Sequence, residues 1–492
     1  MWTKKLYVSM AAVIVLMIAG VFITIWTMRD TSGYVPVLAE VNPPDEDAML
    51  AEELLAAPEP VPEPEPPTEP PTEPPTEPPP PQITNATLAF VGDIMCHIEQ
   101  LNAARVSPGV YDFNYVFRYV TRYFEAVDFS IGNLETTIVN PELGFAGWPL
   151  FRSPIALAEA IQNAGISFLT TGNNHSFDAG ADGVIQTIEA LNYLGIPYTG
   201  TFLTYEERYE TTIVEVNGIT FALLAFTYST NAISLDANGR MMLDQTHWCR
   251  GEMNWMVKYI YHDRVGQSVI DYELIYSSIA RARALNPDFI VVLPHIGLEY
   301  YGTMNDRRDT FDVRTDGRWY NWMRTINFML ESGADIIMSS HPHTLLPAEF
   351  VYVTEDDGTV RRAFVAYSMA NFVSAQRTRP REASAIFYLD FERVEGERAV
   401  ITGAYHVPIW VQGRDFSIFP VTDTLQRVAD GEYTGLTNVE IERIRQVQLD
   451  VTHMLSGEPV PEEYMQARYE ITRARAIDDM PGREIWGSLP WR

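Results

Sequence analysis

Cysteine is nearly absent from this 492-residue chain, which holds only Cys96 and Cys249. That excludes a disulfide framework and leaves room for one bridge at most. Cations are scarce too: Lys and Arg total 35 against 65 Asp and Glu, a net charge of −30. Nucleic acid is therefore excluded as the expected partner, because phosphate binding needs clustered Lys and Arg. A third absence concerns the amino terminus. Leu6 to Met28 is an almost uninterrupted apolar run behind Lys4-Lys5, and no small-residue cleavage site comes after it. About 20 such residues span a bilayer. Lys4 and Lys5 hold the start of the chain in the cytoplasm, although Arg29 pulls mildly the other way. Residues 1–29 are expected to form a cytoplasmic tip and single-pass membrane anchor, with the bulk of the chain extracellular.

Beyond the anchor, residues 30–84 form a linker. Its centre repeats Pro-Pro-Thr-Glu across Pro66 to Pro79. Proline at this density favours extended polyproline II, about 3.1 Å per residue, and like-charged glutamates stiffen it. Such a stretch buries no core. It reads as a spacer through a cell wall, with a ligand for a proline-recognition domain as the alternative. Asn85-Ala86-Thr87 matches a glycosylation sequon. An apolar fraction of 46% supports a substantial core in the rest. We place an α/β domain at 85–420 and a helical carboxyl-terminal extension at 421–492, where 439–455 has helical spacing.

Within 85–420, apolar runs alternate with helical spacing. Strands are predicted at 87–91, 167–171, 289–293 and 334–338, and helices at 115–125, 155–165, 184–194, 272–285 and 320–332. Asn217-Gly218 joins 212–216 to 220–225 as a type I′ hairpin. Later strands fall at 350–354, 363–367 and 385–391, while 231–266 is loop-rich and unassigned. Strand–loop–helix units of this kind predict a layered α/β sandwich.

The strand at 334–338 runs into Ser339-Ser340-His341-Pro342-His343. Open α/β sheets place ligand sites at carboxyl ends of strands. In extended geometry His341 and His343 would face one cavity; a surface turn is the plainer reading. Other strand ends offer Asp93, Glu135, Asn174-His175 and His295. Carboxylates and imidazoles without thiolates suit Mn²⁺, Fe or Zn²⁺. Two such ions are best held by a bridging carboxylate, for which Glu135 is the natural choice. Taken singly, each residue has a plain role: Asp93 as a helix cap, Asn174 in a turn, His295 as a satisfied core histidine. Together they point to a site.

The ordered set Gly92-Asp93-Ile94-Met95, Gly132-Asn133-Leu134-Glu135, Gly172-Asn173-Asn174-His175, Pro294-His295 with Glu299, His341-Pro342-His343 and Tyr367-Ser368-Met369-Ala370-Asn371-Phe372 resembles the CapA capsule-synthesis family, associated with poly-γ-glutamate. That family is similar to the calcineurin-like metallophosphoesterases. The resemblance covers about Leu88 to Pro408. It implies a metallophosphoesterase-like multilayer sandwich with a two-metal site, Asp93 and His343 on the first ion, Asn174, His295 and His341 on the second, and Glu135 bridging. His175 is implied as the group that protonates the leaving group, a role worth roughly 10²–10⁴-fold, with Asp178 or Asp182 as its partner. Two departures stand out. Met95 occupies the position of a phosphoesterase histidine, with His97 two residues later, so the first site is expected to be weaker or differently coordinated. Ala370 replaces a usual glycine, and a backbone adjustment is expected there.

Arg152 is a candidate clamp for an anionic substrate, with a surface salt bridge as its alternative. Glu299, Tyr228, Asn231 and Tyr300 are candidates to line the cleft. The expected protein is an anchored, extracellular metal-dependent hydrolase or transferase in capsule polymer metabolism. Its partners would be an anionic surface polymer or precursor and membrane synthase components. The alternative is a non-catalytic component that binds the polymer, and a third reading makes the histidines core residues.

Overall fold

The first apolar run of the domain becomes a long strand, β1 (Ile83–Ile94), in the computed structural model of the chain. The structure describes residues 81–480, apart from 236–240, 245–256, 258–260, 265–266, 301–316 and 433. The expected anchor and proline-rich repeat lie outside the described residues, as does Cys249. No helix among the described residues is long and apolar enough to cross a membrane.

Three parallel strands extend the first sheet from β1: β2 (Phe129–Leu134), β3 (Phe168–Thr170) and β4 (Tyr198–Thr199). Helices α1 (Ile98–Ala104), α2 (Ile155–Asn163) and α3 (Gly180–Leu194) lie in the connections. The helix expected over 115–125 is broken into Asn114–Phe117 and Thr121–Glu125. Between them Val120 N–H donates to the Phe117 carbonyl and Tyr123 N–H to the Val120 carbonyl. These tighter three-residue turns let Val116, Phe117, Val120 and Phe124 all be buried.

The chain then builds a second sheet. β5 (Thr212–Val216) and β6 (Ile219–Thr227) form the expected hairpin, with Asn217 at φ 49° and Gly218 at φ 78°. In the unassigned stretch, Ala232–Leu235 pairs with Met241–Asp244 and Tyr261–Arg264 with Gln267–Ile270. Helix α4 (Tyr272–Ala284) is capped by Asp271, whose carboxylate accepts the Leu274 N–H at 2.9 Å. It leads to β7 (Phe289–His295), and α5 (Gly317–Glu331) leads to β8 (Ile336–Met338). The hairpin β9 (Ala348–Thr354) and β10 (Val360–Ala366) completes the order β9-β10-β8-β7-β6-β5, with β6, β7, β8 and β10 parallel.

Returning to the first sheet, β11 (Asn371–Val373) pairs with β1, and β12 (Ala383–Val394), β13 (Val400–Val411) and β14 (Ile418–Pro420) extend it. Helices α6 (Val421–Ala429) and α7 (Asn438–Ser456) come next. Thr437 and Glu440 form a capping box on α7, and Gly457 ends it in the left-handed region. The stretch from 421 is not only helical, as its spacing suggests. β15 (Tyr469–Glu470) joins β13 in the first sheet, and β16 (Ala474–Ala476) joins β9 in the second. Strands of two or three residues carry too short a pattern to read from sequence.

Alternation along the strands sorts the layers. Leu88, Phe90 and Ile131 of the first sheet pack in one core with Phe221, Leu223, Val291 and Phe364 of the second. Ala89 and Val91 point the other way, to Leu157, Ile161 and Leu191 of α2 and α3. Ala222 and Leu224 do the same toward Ile279 of α4 and Ile326 of α5. The result is helices, sheet, sheet, helices. Sheets covered on both faces explain why their strands read as continuous apolar runs.

Candidate metal centre

The carboxyl ends of β1, β2, β3, β6, β7 and β8 supply the residues of one polar cluster buried between the sheets. At β1 the pairing register shifts around Asp93 on both sides, and such a bulge re-aims a side chain. Gly92 permits it: a Cβ there would lie 1.9 Å from the Ala370 carbonyl oxygen. Asp93 N–H donates to that same oxygen at 2.9 Å. Ala370 takes φ +62°, the left-handed region that favours the glycine usual at this position. The chain tolerates a left-handed alanine instead, held by the hydrogen bonds of its neighbours.

Asn133, two residues before Glu135 on β2, orients the aspartate. Its Nδ2 donates to Asp93 Oδ1 at 2.8 Å, and its Oδ1 accepts from Thr170 Oγ1 at 3.0 Å and Asn173 Nδ2 at 3.2 Å. Glu135 is fully buried. Neither of its carboxylate oxygens has a hydrogen-bond partner. Its Oε1 instead lies 3.4 Å from His295 Nε2 and 3.9 Å from His343 Nε2.

Three other lone-pair atoms meet at His295 Nε2: Asn174 Oδ1 at 2.7 Å, His341 Nδ1 at 3.2 Å and Glu135 Oε1 at 3.4 Å. Ser340 Oγ, 2.9 Å from His295 Nδ1, fixes the ring from behind. On the other side His343 Nδ1 lies 3.1 Å from Asp93 Oδ2 and 3.0 Å from Asn371 Oδ1. His341 and His343 are not extended: their φ values are +103° and +58°. Both rings still reach the cluster because the backbone bends through the left-handed region at each, a strained arrangement typical of sites the surroundings over-determine. The His341 N–H, 3.4 Å from Asp93 Oδ2, helps hold the bend.

Three groups of possible ligands converge, each within 4.8 Å: Glu135, His295 and His341; Asp93, Glu135 and His343; and Glu299, His341 and His343. Glu135 belongs to two of them. Electrostatics favours a cation. Burial, then the charges of Asp93 and Glu299, holds the Glu135 carboxyl well above its usual range. Burial also pushes Asp93 up, but the hydrogen bond from His343 and the charges of His295 and His343 prevail, so Asp93 sits below its usual value. Burial pushes His295 down to about 3 and His341 well below the ordinary imidazole value. Both rings are neutral at pH 7, the form that binds metal. An unpartnered buried carboxylate among neutral imidazoles and a second carboxylate fits a hard or borderline divalent ion.

Beside the cluster, His175 Nδ1 lies 2.6 Å from Asp178 Oδ2, which also accepts the Phe151 N–H at 2.6 Å. The structure thus pairs His175 with Asp178, while Asp182 is exposed at the start of α3. Asn231 Nδ2 lies 3.3 Å from His175 Nδ1, and the Tyr228 ring lies 4.5 Å from that of His341, tilted by 44°. The Arg152 guanidinium donates to the Leu143 carbonyl at 2.6 Å, and its field reaches Asp178. Glu299, expected to touch substrate, stands among the possible ligands. Met95 is buried and offers no nitrogen. His97 is turned to Gln100 Oε1 at 3.2 Å and to the Ala375 N–H, outside the three groups. Asn133 and Asn371 join the cluster without having been expected in it. For Asn133 a signal exists, since it stands two residues before Glu135 near the carboxyl end of β2.

A model of the family described as "Bacterial capsule synthesis protein PGA_cap" matches residues 87–376. The chain belongs to this family. The PGA_cap span holds every residue of the three ligand groups. The chain is 24% identical to the capsule biosynthesis protein CapA of Bacillus anthracis over 314 residues, 61% of this chain and 63% of that protein. It is 27% identical to the PGA biosynthesis protein CapA of Bacillus subtilis (strain 168), again over 314 residues, 61% of this chain and 66% of that protein. The chain therefore matches a little under two thirds of either relative's length. Among solved structures, purple acid phosphatase PPD1 from yellow lupin (Lupinus luteus) seeds overlays with a TM-score of 0.29 at 9% identity, covering 69% of this chain and 54% of that one. That likeness is too slight to build on.

Proposed function

We propose that this PGA_cap protein acts outside the cell, tethered by its amino terminus, as a metal-dependent hydrolase or transferase in the biosynthesis or export of an anionic capsule polymer of the poly-γ-glutamate type. The capsule role is argued from the names of its relatives. The chemistry is argued from one observation: the buried Glu135 carboxylate has no hydrogen-bond partner and faces histidines on two sides. Asp93, Glu135 and His343 would hold one divalent ion, and Glu135, Asn174, His295 and His341 a second, with Mn, Fe or Zn suited to the donors. When bound, the ions would polarise a phosphoryl or acyl oxygen and acidify water. His175 would hold a proton for the leaving group, with Asp178 orienting its ring and stabilising the imidazolium. Phe151, edge-on to His175 at 4.5 Å, limits water at that ring.

A second reading, a polymer-binding component without catalysis, draws support from Met95, which leaves the Asp93 side with one imidazole, His343. Elemental analysis of purified protein and of His341→Ala tests the centre, and a phosphodiester and γ-glutamyl substrate screen separates the two readings. Stoichiometric metal that falls in His341→Ala, with turnover lost in His175→Ala, supports the enzyme. Metal without turnover supports the binding component. Trace metal, equal in wild type and variant, removes the metal centre and with it the enzyme.

A further inference from the structure

The loop between β11 and β12 carries Arg377, Arg379 and Arg381 in an otherwise acidic chain. Their surroundings differ. Arg379 is committed to Asp450 of α7 through two hydrogen bonds, at 2.7 and 2.6 Å. Arg381 pairs with no carboxylate among the described residues. Its Nε donates to Thr378 Oγ1 at 2.7 Å, and its guanidinium lies 4.3 Å over the Tyr300 ring.

Tyr300 is itself tied to the metal centre. Its N–H donates to the Pro342 carbonyl at 2.8 Å, between the two histidines, and its ring stands 5.9 Å from that of His343. It keeps φ +59°, a left-handed conformation that a bulky residue adopts only where its surroundings impose it. Gln376 Nε2 reaches the Tyr300 hydroxyl at 3.4 Å. The Arg381 carbonyl accepts from Asn371 Nδ2 at 3.1 Å, and Asn371 Oδ1 faces His343. Arg381 is thus anchored to the centre through its backbone and through the ring beneath it. A guanidinium resting on an aromatic face can present its outer N–H fork to a carboxylate or a phosphate. Tyr300 is 38% exposed and Arg381 half-buried, so the pair is reachable from solvent.

We infer that Arg381, seated on Tyr300, binds a second oxyanion of the substrate, a carboxylate or phosphate beyond the group held at the metal centre. Arg381 thereby selects substrates with repeated anionic groups. It is a specificity residue, and the inference rests on the reading of the centre given above. It lies past residue 376, where the family match ends.

The test uses the full chain, wild type and Arg381→Gln, in calorimetric titrations with inorganic phosphate, γ-linked triglutamate and tripolyphosphate. Metal content and unfolding midpoint are measured in parallel. The expected result is unchanged metal content, midpoint and phosphate affinity, with an oligo-anion bound about tenfold more weakly by Arg381→Gln. Whichever oligo-anion shows the loss identifies carboxylate or phosphate as the group read. A loss under about threefold for both oligo-anions overturns the role of Arg381. Trace metal in the wild type would defeat the reading of the centre, while the affinity ratio would still decide Arg381.

Discussion

Asp178 receives two hydrogen bonds of 2.6 Å, from the Phe151 N–H and from the His175 ring. As an acceptor it fixes the proton on His175 Nδ1 and leaves Nε2 for chemistry. Asp178→Asn should keep the shape and lose the charge that supports an imidazolium. On a substrate that gives turnover, kcat should fall by about 10²–10⁴ with metal content unchanged. Unaltered kcat would make the pair a packing feature. Cys96 behaves oppositely. Burial pushes its thiol up to about 12, against a hydrogen bond with Ser153. It should resist iodoacetamide at pH 8 in the folded protein and react in urea, as read from the mass of its peptide. Labelling of the folded protein would show that the β1 end opens.

At the scale of elements, the junction of β1 with β11 is the most demanding piece of backbone. Gly92→Ala would drive a methyl into the Ala370 carbonyl and should lower stability by about 1–3 kcal/mol or more in urea unfolding. Ala370→Gly should raise it by up to about 1 kcal/mol, since relief of a left-handed alanine outweighs the added unfolded-state entropy. A loss on Ala370→Gly would mean the methyl packs better than its φ suggests.

The same elements explain what is legible in the sequence. Central strands can be read because both faces of both sheets are covered, which writes continuous apolar runs, and Asp93, Glu135, Asn174, His295 and His341 stand where those runs end. The bends at His341 and His343 cannot, because left-handed backbone at a non-glycine is imposed by contacts such as Asp93 with the His341 N–H. Nor can the part played by Glu299, which depends on a loop folding back beside His341.

For the whole molecule, the carboxyl-terminal stretch is part of the core. Ile444, Val447, Val451 and Leu455 of α7 pack with Trp410 and Phe419, and Ile471 lies in the same cluster. Arg379–Asp450 and Arg443–Glu382 tie α7 to the loop before β12. His406 on β13 is fully buried there, 3.0 Å from Ser456 Oγ and stacked on Tyr469. Burial pushes it down to about 3. Between pH 6.5 and 3 the unfolded chain therefore binds the extra proton. Stability contributed here is complete above pH 6.5 and is lost as pH falls, by up to about 1.4 kcal/mol per unit. His406→Phe should flatten the fall in urea-unfolding free energy between pH 6.5 and 5 by that share. An unchanged slope would place the acid sensitivity elsewhere.

On the proposed reading, Glu135 would serve two cation sites at once. The most direct measurement is elemental analysis of the full chain after reconstitution with Mn²⁺ and gel filtration, wild type against Glu135→Gln. The glutamine keeps the volume and removes the charge. Two ions per chain are expected in the wild type and at most a trace in Glu135→Gln, with both proteins folded by circular dichroism. Equal metal in the two, at any stoichiometry, would contradict it.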